Sequence, residues 1–170
     1  MRGIIATLSC LCMIAAAVPA HAQAVSRLGT HGDWGSYAYQ SDKGKVCYVL
    51  SVPKTKQPTS LDHGDIYFLV TQRPGQNIVF EPQFKAGYNL RENSKVTVTI
   101  GDKSFTLSYL DTPGGSAWLE SPAEEPQFIA SMRAGATMAV KAVSGRGNET
   151  SYEFSLRGVT AALNSIQTCS

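Results

Sequence analysis

Residues Val96 to Tyr109 leave little choice of secondary structure. Val96, Val98 and Ile100 alternate with Thr97 and Thr99, while Phe105, Leu107 and Tyr109 alternate with Ser104, Thr106 and Ser108. A period of two marks strands with one buried face. Gly101-Asp102 between them suits a two-residue hairpin turn. Counting outward pairs Val98 with Phe105, Val96 with Leu107, Thr97 with Thr106 and Thr99 with Ser104. Both strands then place their apolar residues on one side, and a one-residue slip would destroy that agreement.

The pattern recurs. Ala136–Ser144 and Asn148–Leu156 form a second hairpin around Gly145-Arg146-Gly147, with Val140 opposite Tyr152 and Met138 opposite Phe154. Further strands are expected over Asp33–Gln40, Lys45–Val52, Ile66–Thr71, Ile78–Phe80 and Trp118–Leu119. Pro82 marks an interruption or an edge, and Pro53–Asp65 reads as a long polar loop. A short helix is expected near 126–134, with Pro126 at its start, Phe128, Ile129 and Met132 on one face, and Gly135 closing it. At Gly158 the period changes. Val159, Ala162, Leu163 and Ile166 share one face of a C-terminal helix near 159–168. Eight to ten short strands with regular turn signals and two helices argue a mainly β protein, a β-sandwich.

Residues Met1 to Ala22 read as a cleaved secretory signal peptide. Arg2 supplies the charge, Ile4–Val18 the apolar stretch, and Ala20-His21-Ala22 a small-x-small site, with cleavage between Ala22 and Gln23. The stretch is short for a membrane anchor, and Cys10 and Cys12 sit in poor lipidation contexts. Residues 23–32 are small and polar and read as a mobile lead-in; 33–170 form one domain. Without the first 22 residues, 148 remain, carrying 14 Lys/Arg and 13 Asp/Glu. That balance is no nucleic-acid footprint, and no transmembrane segment is left.

The cysteines remaining are Cys47 and Cys169, which in an exported chain read as one disulfide. Two free thiols would need a reducing compartment, against the signal peptide. Strand alternation puts Cys47 with Val49 and Ser51, opposite Val46, Tyr48 and Leu50. If the larger set fills the core, Cys47 points outward and the C-terminal helix covers the outer face.

Signs of chemistry are sparse. Asp62-His63-Gly64-Asp65, with His31 and Asp33, holds metal-ligand types, but the spacing matches no zinc or calcium loop. No Gly-x-Ser-x-Gly or Cys-x-x-Cys is present. Lys43, Lys45, Lys54 and Lys56, with Arg146 at a hairpin tip, form a candidate interaction surface for anionic lipid or polysaccharide. The competing reading is lysines guarding an edge strand. The leading expectation is a non-enzymatic binding or interaction module with no cofactor. The alternative is an envelope hydrolase or metal-dependent enzyme with a site near His63 and Asp65.

Several stretches together resemble the invasion-associated locus B family of bacterial exported proteins. They are Gly32-Asp-Trp-Gly-Ser-Tyr37, Lys45-Val-Cys-Tyr-Val-Leu-Ser-Val-Pro-Lys54, Asp65-Ile-Tyr-Phe-Leu-Val-Thr-Gln-Arg-Pro74, Ala86-Gly-Tyr88, Val96 to Leu107, Met132-Arg-Ala-Gly135, and Ser144-Gly-Arg-Gly147 through Ser155–Leu163 to Cys169. The resemblance spans nearly the whole chain after the signal peptide, in order. It implies an immunoglobulin-like β-sandwich and a place in the periplasm, at the outer membrane or outside the cell. It further implies an unknown envelope or host protein, lipid or glycan as partner. Some members are linked to host-cell invasion, and the family carries no known catalytic residues. This chain lacks the internal Cys-Leu-Pro-Gln-Gly-Cys-like segment of many members and looks like a single-disulfide branch.

Overall fold

The computed structural model describes residues 24–110 and 115–169. The proposed signal peptide, with Ala22, Gln23, Cys10 and Cys12, lies outside them. Eleven strands form one antiparallel sheet: β1 (Ser26–His31), β2 (Trp34–Ser41), β3 (Gly44–Ser51), β4 (Thr55–Gln57), β5 (Tyr67–Arg73), β6 (Ile78–Lys85), β7 (Lys95–Ile100), β8 (Lys103–Leu110), β9 (Ser116–Leu119), β10 (Thr137–Val143) and β11 (Glu149–Ser155). Their order across the sheet is β1-β2-β3-β5-β6-β9-β8-β7-β10-β11-β4. The sheet folds over on itself, so that the inner faces of its two halves meet. Phe68 of β5 packs on Phe154 of β11 with ring centres 5.9 Å apart, and Phe84 of β6 lies 5.5 Å from Tyr152 of β11. This is the expected mainly β, sandwich-type layering, with side chains of both halves meeting in one core.

Both hairpins take the expected register. Val98 faces Phe105 and Val96 faces Leu107, while Val140 faces Tyr152 and Met138 faces Phe154. Pro82 lies inside β6 opposite Val70, where β9 does not yet flank the strand, since β9 pairs only with Gln83–Lys85. A proline there removes no ladder bond on that side.

Helix α1 (Glu125–Ala134) follows a 3-10 turn at Pro122–Glu124. Its Phe128, Ile129 and Met132 are buried, with Phe128 stacked on Phe68 and edge-on to Phe105. Helix α2 (Val159–Ile166) buries Val159, Ala162, Leu163 and Ile166. It packs on β1, β2 and β3, and a disulfide joins Cys47 to Cys169 with Cα atoms 5.9 Å apart.

Two expectations are corrected. Cys47 points inward, buried in the core with Val49, while Tyr48 and Leu50 lie half-buried on the outer face. The cause is room. Ser36, Ala38, Cys47, Val49 and Ser51 are small, and their face accommodates the helix. Tyr48 instead stacks on Tyr37 outside, with Tyr39 edge-on, and the rings shelter one another. Second, residues 23–32 are not simply a lead-in. Ser26–His31 form strand β1, paired with β2 and bulged at Leu28.

Strand β2 and helix α2 meet at a tight backbone crossing. Gly158, the N-cap of α2, has φ +90°, and the turn before β2 lies directly against it. Asp33 N–H donates to Arg157 O (3.0 Å), the Trp34 indole donates to Ser155 O (2.9 Å), and Ser51 Oγ donates to Asp33 O (2.7 Å).

Candidate functional site

The candidate residues divide by what they already bind. Asp33 receives Lys54 Nζ at 2.6 Å and the Arg157 guanidinium at 3.2 and 3.3 Å. Lys54 and then Arg157 hold its carboxyl well below the usual range. His31 is hydrogen-bonded to Ser36 Oγ at 3.1 Å. These groups serve the backbone crossing. Among the described residues, no three His, Cys, Asp or Glu side chains gather as a metal site would require.

The four lysines do not make one patch. Lys43 and Lys45 lie at the start of β3, and Lys54 and Lys56 beyond its other end. An eight-residue strand puts about 25 Å between them. Lys54 is paired with Asp33, and Lys56 donates to Gly64 O at 2.8 Å. Arg146 sits apart, exposed at the β10–β11 hairpin tip.

His63 and Asp65 also separate. Asp65 is exposed, whereas His63 is buried. The 58–65 loop turns on itself through Asp62, whose Oδ1 accepts from Gly64 N–H at 2.9 Å. His63 then enters a polar seam in the core. Its Nε2 is 2.9 Å from Pro58 O and its Nδ1 is 2.9 Å from Tyr152 Oη. Tyr152 Oη is 2.9 Å from Tyr88 Oη, Tyr88 Oη is 2.6 Å from Thr150 Oγ1, and Thr150 Oγ1 donates to Ala142 O at 3.1 Å. Burial, with the hydrogen bond to Tyr88, pushes the Tyr152 hydroxyl far above the ordinary phenol range, so it stays protonated. With both ring nitrogens engaged, His63 is held as part of the wall.

The seam underlies a cavity of about 580 Å³. Its walls are the 58–65 loop, the turn carrying Tyr88 and Asn89, and the hairpin tip from Ser144 to Asn148. Backbone bonds hold these walls together: Gly145 N–H donates to Asn89 O (2.7 Å) and Arg91 N–H to Val143 O (2.8 Å). The side chains of Asn89, Arg146 and Asn148 make no hydrogen bond or ion pair within the described protein. They offer two carboxamides and a guanidinium to the cavity, whose volume suits a small ligand or a protruding group. A second hollow, about 640 Å³, lies on the outer sheet face among Gln57, Lys95, Thr97, Lys141 and Ser151. Lys95 there is paired with Glu120 at 2.6 Å, and Thr150 alone of its lining is a buried polar residue, whereas His63, Ser144 and Thr150 all line the smaller cavity. The smaller cavity is therefore the better-built site. Of its residues the sequence analysis singled out His63 and Arg146. Asn89 carries no motif, Tyr88 falls in Ala86-Gly-Tyr88 and Thr150 in the sequon pattern Asn148-Glu-Thr150, and only the fold brings them together with His63.

A family profile described as invasion associated locus B (IalB) protein matches residues 34–167. The chain belongs to the IalB family. The match begins at Trp34 of the backbone crossing and runs through α2. The crystal structure of invasion associated protein B from Bartonella henselae is similar to this IalB-family chain with a TM-score of 0.56 at 14% identity. The alignment covers 80% of this chain and 92% of that one. At that identity the likeness concerns the fold. No curated protein matches the chain. None of the helices in the described residues is long and apolar enough to cross a membrane.

Proposed function

We propose that this IalB-family protein is an exported, non-enzymatic binding module of the bacterial envelope, which takes its partner at the cavity between the 58–65 loop, the Tyr88 turn and the Arg146 hairpin. One observation carries this reading. The groups a hydrolase or metal site would use, His63, His31 and Asp33, are engaged inside the protein, whereas Asn89, Arg146 and Asn148 are unengaged and line the cavity. Such an arrangement favours recognition over turnover. The Cys47–Cys169 bridge supports export, because disulfides persist in oxidising compartments. Cleavage between Ala22 and Gln23, residence in the periplasm, at the outer membrane or outside the cell, and contact with a host cell belong to the same proposal. Lys43 and Lys45 are a secondary contact region for anionic lipid or polysaccharide.

The test is capture from envelope extract with the native protein and with the Asn89→Ala/Arg146→Ala double variant, with bound lipid, glycan and protein identified. A species retained by the native protein and lost by the variant supports the proposal. Equal retention by both removes the cavity from it. A hydrolase activity lost in His63→Gln with folding intact would replace it with the enzymatic reading.

A further inference from the structure

The seam under the cavity contains five contacts in a row, Pro58 O–His63–Tyr152–Tyr88–Thr150–Ala142 O, at 2.9, 2.9, 2.9, 2.6 and 3.1 Å. Both ends are carbonyl oxygens, which only accept. Between them stand one imidazole and three hydroxyls. With a neutral imidazole these groups carry four hydrogens for five contacts. One contact must then lack a hydrogen, and an unfilled buried contact is costly. An imidazolium supplies the fifth.

We infer that His63 is a proton switch built into the floor of the cavity: one proton on its Nδ1 completes the seam by filling the contact with Tyr152. In the neutral ring the hydrogen sits on Nε2, because Pro58 O can only accept. Tyr152 donates to Tyr88 and Thr150 to Ala142 O, so Tyr88 donates to Thr150 and the open contact falls between Nδ1 and the Tyr152 oxygen, two lone pairs 2.9 Å apart. When Nδ1 takes a proton, His63 donates to Tyr152, Tyr152 to Tyr88, Tyr88 to Thr150 and Thr150 to Ala142 O. The Tyr152 hydroxyl cannot answer instead by ionising, since burial holds its proton. His63, Tyr88 and Thr150 line the cavity, so the proton adds a positive charge to its floor. It also completes the link between the 58–65 loop and the strands behind it. This inference rests on the proposed binding site for its functional meaning, but not for its chemistry.

The charged and titratable groups around His63 come from each neighbouring wall. Asp62 and Asp65 lie on its own loop, both exposed, with Asp62 accepting from Gly64 N–H. Lys56 of β4 donates to Gly64 O, Tyr152 comes from β11, Tyr88 from its turn, and Arg146 from the hairpin tip. Among the described residues the His63 ring bonds only to Pro58 O and Tyr152 Oη. Thr150→Val removes two contacts and one hydrogen, leaving three contacts for three hydrogens with a neutral ring. Tyr88→Phe likewise leaves every remaining contact filled without a proton.

The experiment is a long-range proton–nitrogen correlation spectrum of the histidine rings against pH, in the native protein, Thr150→Val and Tyr88→Phe, with His63 assigned by its loss in His63→Gln. It uses no ligand, so failure to find a partner leaves its outcome untouched. The expected result is that Nε2 keeps its hydrogen throughout and Nδ1 gains one on acidification. Both variants should bind that proton about fivefold more weakly, the equivalent of one hydrogen bond of about 1 kcal/mol. Identical titration in the native protein and in either folded variant would overturn the inference, as would a neutral ring with its hydrogen on Nδ1.

Discussion

Replacing Gly158 with Ala tests the backbone crossing against an internal control. Gly158 has φ +90° and Gly147 has φ +86°, so a Cβ costs about 1–2 kcal/mol at either position from backbone conformation alone. Their surroundings differ. A Cβ at Gly147 meets nothing within 4 Å. One at Gly158 would lie 2.5 Å from the His31 carbonyl carbon, nearer still to its oxygen, and 3.0 Å from Gly32 N. Those are backbone atoms and cannot rotate away. Relief requires moving the 31–33 turn, which strains the Asp33 N–H to Arg157 O and Trp34 indole to Ser155 O bonds. Overpacking of this kind adds about 1–3 kcal/mol. At about 3 °C per kcal/mol for a domain of this size, Gly147→Ala should lower the melting temperature by about 4 °C and Gly158→Ala by about 10 °C. Thermal unfolding followed by circular dichroism under non-reducing conditions reads both. Equal losses would refute the close approach, and an unchanged Gly158→Ala would refute the placement of α2 as well.

Three further outcomes are expected. Cys47→Ser/Cys169→Ser opens a bridge between residues 122 apart in sequence and should cost about 4–5 kcal/mol in the chain-entropy treatment; urea unfolding measures it, and an unchanged midpoint would contradict the bridge's structural role. Asp33 has its carboxyl held low by Lys54 and Arg157, so it stabilises the fold above about pH 4, the ordinary carboxylate value, and that contribution is lost as pH falls further. Asp33→Asn should therefore be less stable at pH 7 and lose less between pH 4 and pH 2, measured by urea midpoints across that range; parallel curves would contradict the pairing. Trp34→Phe leaves Ser155 O without the indole donor and should cost about 1–3 kcal/mol by the same unfolding assay.

The parts legible in the sequence were those where side-chain pattern and turn chemistry agree locally. Val96–Tyr109 and the Val140/Tyr152 hairpin declare their register because a slip would bury threonines. Phe128, Ile129 and Met132 declare a helix face because 126–134 holds no other large apolar residue. Strand β1 was not legible, since Ser26–His31 has no alternation and carries a bulge at Leu28. Strand β4 was hidden in a polar loop, being three residues held only by pairing with Ser151–Glu153. The face of Cys47 was misjudged because size alone pointed Tyr48 and Leu50 inward. The space that α2 needs, and the shelter tyrosines find on one another, are long-range facts. The same holds for the cavity. His63 looked like a turn residue or a ligand, and only Tyr88 and Thr150, 25 and 87 residues onward, make it part of a seam.

The claim that the protein recognises its partner at the Arg146 cavity is tested most directly by amide chemical-shift mapping. The isotopically labelled protein, titrated with fractionated envelope extract, should show its largest shifts at Asn89, Arg146 and Asn148 and in the 58–65 loop, saturating together and vanishing in Asn89→Ala/Arg146→Ala. Shifts centred instead on Lys43 and Lys45, or on the outer sheet face around Thr97 and Lys141, with the cavity silent, would contradict the account.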